Sequence, residues 1–167
     1  MTLNECAAWL LEHDHYCILT HARPDGDTIG SATALCEGLR RLGKTAHVLN
    51  NTQASPFLNR CLLGLTVDAP APTDTLVSVD VASPHLFPEE HQQYISRIAL
   101  RIDHHATSVS FTPNEFVDAS SAACGEIIYE LLMDMDVQMT KDGHLVLFQH
   151  VPNQLFQAAH IPCSFPD

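Results

Sequence analysis

Along this chain the spacing of hydrophobic positions changes several times, and each change predicts an element. Leu3, Ala7, Leu10 and Leu11 recur at helical spacing, which predicts an amphipathic helix over Leu3 to Glu12. His15-Tyr16-Cys17-Ile18-Leu19-Thr20 reads as a buried strand, and the polar run from His21 ends it. Arg23-Pro24-Asp25-Gly26-Asp27 is turn chemistry. Asp27 or Thr28 can then cap a helix whose apolar positions are Ile29, Ala32, Leu35 and Leu39, ending near Leu42 with Gly43 as its stop. Ala46 to Leu49 is a short strand, and Pro56 to Leu63 a candidate helix. Thr75 to Asp80 and Ile98 to Asp103 share one plan, an apolar run closing on a carboxylate. Phe116-Val117 predicts a short strand, and a helix starting at Ser120 or Ser121 runs through Ile127, Ile128, Leu131 and Leu132 to about Met135. Strands alternating with helices predict an α/β fold, a mainly parallel sheet flanked by helices. In such sheets functional groups gather beyond the carboxyl ends of the strands.

The tail reads differently. His144 to Phe148 has strand composition, but Pro152, Pro162 and Pro166 argue against a regular helix beyond it. We expect one ordered domain over residues 1–142 and an irregular tail over 143–167.

Composition narrows the function. Of 167 residues, 46% are hydrophobic, which fits a globular protein, and no apolar run approaches the ~20 residues of a membrane helix. The N-terminus lacks the basic start and apolar core of a secretion signal, so a cytoplasmic location is expected. The six cysteines contain no CxxC pair and read as small buried hydrophobes. A net charge of −12 with 8 Lys+Arg argues against broad binding of duplex nucleic acid, which works by neutralising phosphates with cationic side chains. Small phosphorylated substrates remain open, because bound metal can supply positive charge locally.

The strand ends carry the candidate chemistry. His21, Asp25 and Asp27 offer an imidazole and two carboxylates within one bent segment, a donor set suited to Mg²⁺ or Mn²⁺. The same residues also make an ordinary turn and helix cap. Asp80, at the end of Leu76-Val77-Ser78-Val79, is placed like a bridging ligand, or like a solvent-facing Asp. Asp103-His104-His105 follows another strand, and its two imidazoles point different ways, one free for metal and the other for a substrate phosphate.

Three segments in this order, His-Ala-Arg-Pro-Asp-Gly-Asp-Thr-Ile-Gly-Ser (21–31), Val-Ser-Val-Asp (77–80) and Asp-His-His (103–105), resemble the first three motifs of the DHH phosphoesterase family. The resemblance covers roughly residues 3 to 142 and implies a Rossmann-like DHH domain truncated at its C-terminus. The first motif and Gly125-Glu126-Ile127-Ile128-Tyr129-Glu130-Leu131 are most similar to the nanoRNase branch. That branch degrades very short oligoribonucleotides and dephosphorylates 3′-phosphoadenosine 5′-phosphate. The resemblance implies two Mn²⁺ ions, with His21, Asp25 and Asp80 at one, Asp27, Asp80 and His104 at the other, and Asp80 shared. It places His105 toward the phosphate and Asp103 behind the histidines as a support. The implied partners are short single-stranded RNA or a small phosphorylated nucleotide, without duplex nucleic acid or membrane, and a homodimer is an allowed assembly.

The chain departs from the family after residue 135. A fourth motif of the Asp-Thr-Gly type is expected between Lys141 and Gln157 and does not occur; Asp142 comes too early, and His144 and His150 are the substitutes at hand. The Gly-rich substrate domain of full-length relatives is also not in the sequence. Read one base later, the codons for Gln149 to Gln157 permit Ser-x-Ser-x-Thr-Ser-Cys-Phe-Arg, similar to the missing motif but without its Asp, so an out-of-frame tail is one expectation. The second metal site is therefore expected to be incomplete and activity reduced. The alternatives are a catalytically impaired fragment that binds metal or nucleotide, and an inorganic pyrophosphatase.

Overall fold

The structure, a computed structural model, describes residues 1–137. The proposed strand over 144–148, Asp142, His144, His150 and the rest of the tail lie outside the described residues.

The chain opens with α1 (Leu3–Glu12), fixed by a capping box in which Thr2 and Glu5 each bond the other's backbone N–H, at 3.3 and 2.7 Å. It continues through β1 (Tyr16–Leu19), α2 (Gly26–Arg41), β2 (Ala46–Leu49), β3 (Thr66–Val67), β4 (Thr75–Val79), β5 (Ile98–Asp103), β6 (Asn114–Val117) and α3 (Cys124–Asp134). Every strand pairing is parallel, in the order β3-β2-β1-β4-β5-β6. This is the doubly wound order, with its switch point where β1 lies beside β4. No helix among the described residues is long and apolar enough to cross a membrane.

Period-2 alternation assigns the two faces of the sheet. Tyr16, Ile18, Val48, Val77, Val79, Leu100 and Ile102 pack with all three helices in the main core. Cys17, Leu19, Leu49 and Leu76 face the other way, onto Phe87, Val81 and the partly buried Tyr94, Ile95 and Phe111, and Ile98 joins them because the β4–β5 register shifts between Leu76 and Val77. That second face is covered by short 3₁₀ segments at Pro84–Leu86 and Glu89–Arg97. The β4–β5 crossover is too polar for a core helix: of Glu89–Arg97 only His91 is buried.

Helix ends depart from the sequence expectation in instructive ways. The cap of α2 is Asp25, whose carboxylate accepts from Thr28 N–H at 3.0 Å, so the helix begins before Asp27 and Thr28. At its other end Gly43 stands at φ 81 and Lys44 N–H reaches Leu39 O at 3.1 Å, the Schellman closure expected for Gly43. α3 starts later than expected. Ser120 and Ser121 donate their hydroxyls to Asp118, at 2.6 and 2.9 Å, and so form a turn in front of the helix. The candidate helix at Pro56–Leu63 is only a 3₁₀ turn over Leu58–Leu62. Where α2 crosses α3, Gly38 lies so close to Leu132 that a Cβ there would overlap the leucine methyls.

Candidate metal centre

His21 follows β1, Asp80 follows β4 and Asp103 closes β5, three neighbouring strands at one sheet edge. The start of α2 brings Asp25 and Asp27 over the same edge. Together His21, Asp25, Asp27, Asp80, His104 and His105, with Leu86, line a cavity of about 250 Å³. His21, Asp25, Asp27, Asp80, His104 and His105, the residues the family resemblance implied at the metals and the phosphate, are thus brought to one cavity. Arg23 and Ser31, polar residues of the same motif, do not line the cavity: Ser31 is fully buried and donates to Asp27 at 3.4 Å.

Two donor groups share Asp80. His21, Asp25 and Asp80 form one, Asp80, His104 and His105 the other, with the donor atoms of each group within 4.8 Å of one another. Asp80 presents one oxygen to each. Oδ2 accepts from the Thr28 hydroxyl at 2.5 Å and lies 3.8 Å from His21 Nε2. Oδ1 lies 3.5 Å from His104 Nε2 and 3.7 Å from His105 Nδ1, and it is buried without a hydrogen-bond partner. Asp80 itself is held in the left-handed region at φ 59, a conformation a non-glycine residue adopts at some cost. Burial, then the neighbouring Asp27, pushes its carboxyl up to about 6, against the Thr28 hydrogen bond and His21. An orphaned, ionisable oxygen beside imidazole nitrogens fits a divalent cation.

The imidazoles are oriented for this. His21 Nδ1 lies 2.7 Å from the Ala22 carbonyl and His104 Nδ1 3.3 Å from the Ser121 carbonyl. A carbonyl only accepts, so Nδ1 of each ring is the donor and Nε2 is the nitrogen turned inward, the one a neutral ring offers to a metal. His105 differs: its Nδ1–H donates to Asp103 Oδ1 at 2.7 Å, which also accepts from the backbone N–H of His104 and His105. Burial lowers the His105 pKa, but the Asp103 hydrogen bond and the Asp103, Asp80 and Asp27 charges outweigh it and hold the ring above its usual value. At Asp25 burial also acts upward, yet the Thr28 hydrogen bonds and His21 leave it below the usual carboxylate range.

Asp27 has a second engagement that the sequence did not reveal. Its two oxygens accept from the backbone N–H of Cys124 and Gly125, each at 2.8 Å, where α3 has no cap of its own. It stands 3.8 Å from His104 Nε2, at the cavity wall and outside both tight donor groups. Other positioning residues were also not read from the sequence. Buried Asn51 ties the end of β1 by donating to Thr20 Oγ1 at 3.0 Å and to His21 O at 2.8 Å. Arg101, 2% exposed, stands 3.9 Å from Asp103, pairs with Glu115 at 3.1 Å and lies over Phe111. Its signal was an Arg inside an otherwise apolar strand.

A parallel sheet whose switch point carries histidines and carboxylates around one shared aspartate defines an α/β domain with a candidate metal centre. Residues 15–155 match the model of the DHH family, N-terminal domain, and the chain belongs to that family. It is 32% identical over 127 residues to the bifunctional oligoribonuclease and PAP phosphatase NrnA of Thermus thermophilus, a stretch covering 75% of this chain and 38% of that one. The chain thus spans well under half the length of this curated relative. Its fold is similar to an exopolyphosphatase-related protein from Bacteroides fragilis, with TM-score 0.69, 18% identity, and 89% of this chain and 48% of that one covered. It is also similar to a Methanococcus jannaschii protein assigned to the family II inorganic pyrophosphatases, with TM-score 0.54, 19% identity, and 79% and 45% covered. At these identities the two structures bear on fold alone.

Proposed function

We propose that this chain is the metal-holding domain of a phosphoesterase acting on short oligoribonucleotides or 3′-phosphoadenosine 5′-phosphate, with Mn²⁺ as its metal. The observation that carries the proposal is Asp80, with one oxygen turned to each donor group. In this proposal His21, Asp25 and Asp80 hold the first ion, and Asp27, Asp80 and His104 the second. Two such ions, when bound, supply a nucleophilic water and stabilise charge on the leaving oxygen.

The remaining work falls to the chain itself. Ala22 and Ser121 keep the His21 and His104 rings in the ligating tautomer. Asp103 holds His105 through Nδ1, leaving Nε2 to donate to a phosphate oxygen when the ring is protonated. The raised His105 pKa keeps more of the ring in that form near neutrality. Leu86 supplies an apolar wall beside these polar groups.

The substrate choice rests on the NrnA likeness, and the span of 38% of that protein makes the whole activity a proposal. The test offers purified chain with Mn²⁺ a ribodinucleotide, 3′-phosphoadenosine 5′-phosphate and pyrophosphate. The expected result is phosphate or mononucleotide release from the first two and its loss, by at least about a hundredfold, in Asp80→Ala. Preferred turnover of pyrophosphate would reassign the substrate. If no substrate turns over and Mn²⁺ still binds, the chain is a metal-binding fragment.

A further inference from the structure

The Thr28 hydroxyl sits among the three donors of the first group. Its oxygen is 2.6 Å from His21 Nε2, 3.1 Å from Asp25 Oδ1 and 2.5 Å from Asp80 Oδ2. One hydroxyl has one proton to give, so it satisfies one of these acceptors at a time. The same three residues make up the first donor group. The Thr28 oxygen therefore stands within 3.1 Å of a donor atom from each residue that could hold the first ion. An ion held by all three donors stands next to this oxygen, and Thr28 must then either ligate it or leave.

Leaving is blocked. Thr28 is fully buried in the first turn of α2, and its backbone N–H is held by Asp25 at 3.0 Å. A β-branched side chain in a helix has few χ1 states. Turning the hydroxyl away would set the methyl or the Cβ hydrogen against the ion and its polar ligands and cost the buried hydroxyl its partners.

The geometry points to Thr28 Oγ1 as a fourth protein ligand of the first ion, a neutral oxygen added to His21, Asp25 and Asp80. The inference rests on the proposed metal-holding role of those three residues. Threonine hydroxyls at the start of a helix ligate hard divalent ions elsewhere, as in nucleotide-binding P-loops. One nitrogen and three oxygens make a harder site than one nitrogen and two, which favours Mn²⁺ or Mg²⁺ over Zn²⁺.

Calorimetric titration of the full chain with Mn²⁺ and with Zn²⁺ tests this on Thr28→Ser, Thr28→Val and Thr28→Ala, each first checked for folding by thermal melting in EDTA. Thr28→Ser should keep Mn²⁺ affinity within about threefold, while Thr28→Val and Thr28→Ala lose at least about tenfold. Those two should also lose part of the preference for Mn²⁺ over Zn²⁺, a change that simple loosening of the helix turn would not produce. Binding of Mn²⁺ by Thr28→Val or Thr28→Ala as tightly as by the unsubstituted chain, or more tightly, would overturn the inference. With binding and turnover intact in the unsubstituted chain, that result leaves the proposed function standing. An unsubstituted chain that takes up no Mn²⁺ sinks both.

Discussion

Asp80 combines burial, a left-handed backbone and an orphaned oxygen, and its ionisation has a cost to the metal-free fold. Its folded pKa, about 6, is raised above the ordinary 3.8, so the folded chain binds this proton more tightly than the unfolded one. The stabilisation is then fully present below pH ~4 and is lost as pH rises through about 6. In EDTA, Asp80→Asn should flatten the decline of stability across that window, by an amount on the order of 1–3 kcal/mol. His105, also raised, contributes in the same direction, so the comparison of melting curves has to be between the variant and the parent chain. An unchanged slope in Asp80→Asn would mean that another group carries the proton. Mn²⁺ should act oppositely, stabilising the chain more at neutral than at acid pH. Residue by residue, the metal-type donors were legible because histidine and aspartate at strand ends have few other reasons to cluster. Thr28 was not, since a threonine after Pro-Asp-Gly-Asp reads as cap or helix start, and only the fold brings His21, Asp25 and Asp80 around its hydroxyl.

Among elements, five of the six strands were legible from their apolar runs, while the two-residue β3 was not read, and of the helices expected between strands only α2 forms as an α-helix. The boundaries of α2 and α3 were less legible, because competing side-chain hydrogen bonds decide them. Ser120 and Ser121 look like caps and serve a turn on Asp118 instead. The actual anion at the start of α3 comes from Asp27, 97 residues away from the Cys124 N–H it accepts, which no local pattern encodes. Asp27 therefore docks α3 onto the first turn of α2 as well as lining the cavity. Removing it leaves two amides at a helix N-terminus without their charged acceptor. Asp27→Ala should lower stability by about 2–3 kcal/mol in urea unfolding of the metal-free chain. A cost near zero would show that water replaces the carboxylate, and would leave Asp27 with the cavity as its only role. The Gly38 contact with Leu132 strengthens the same junction, since it lets α2 and α3 approach where a side chain would hold them apart.

The whole molecule poses an electrostatic problem that the site must solve. A chain of net charge −12 presents a cavity lined by Asp25, Asp27 and Asp80, and a phosphorylated substrate is an anion. Arg101, the large buried cation, turns to the Ala82 and Val109 carbonyls, Glu115 and Asp103 and does not line the cavity. Protonated His105 offers one positive charge against three carboxylates, so most of the charge that admits an anion has to arrive with bound metal, and binding should be ordered, metal before phosphate. Titrating 3′-phosphoadenosine 5′-phosphate into the Asp103→Asn variant, chosen to slow turnover, should give no measurable heat in EDTA and saturable binding once Mn²⁺ is present. Raising salt should weaken that binding only modestly, because the ion–phosphate contact lies inside the cavity and is screened less than a surface pair. Equal binding in EDTA would place the anion elsewhere on the chain, with the exposed Arg23 of the first motif as the next residue to replace.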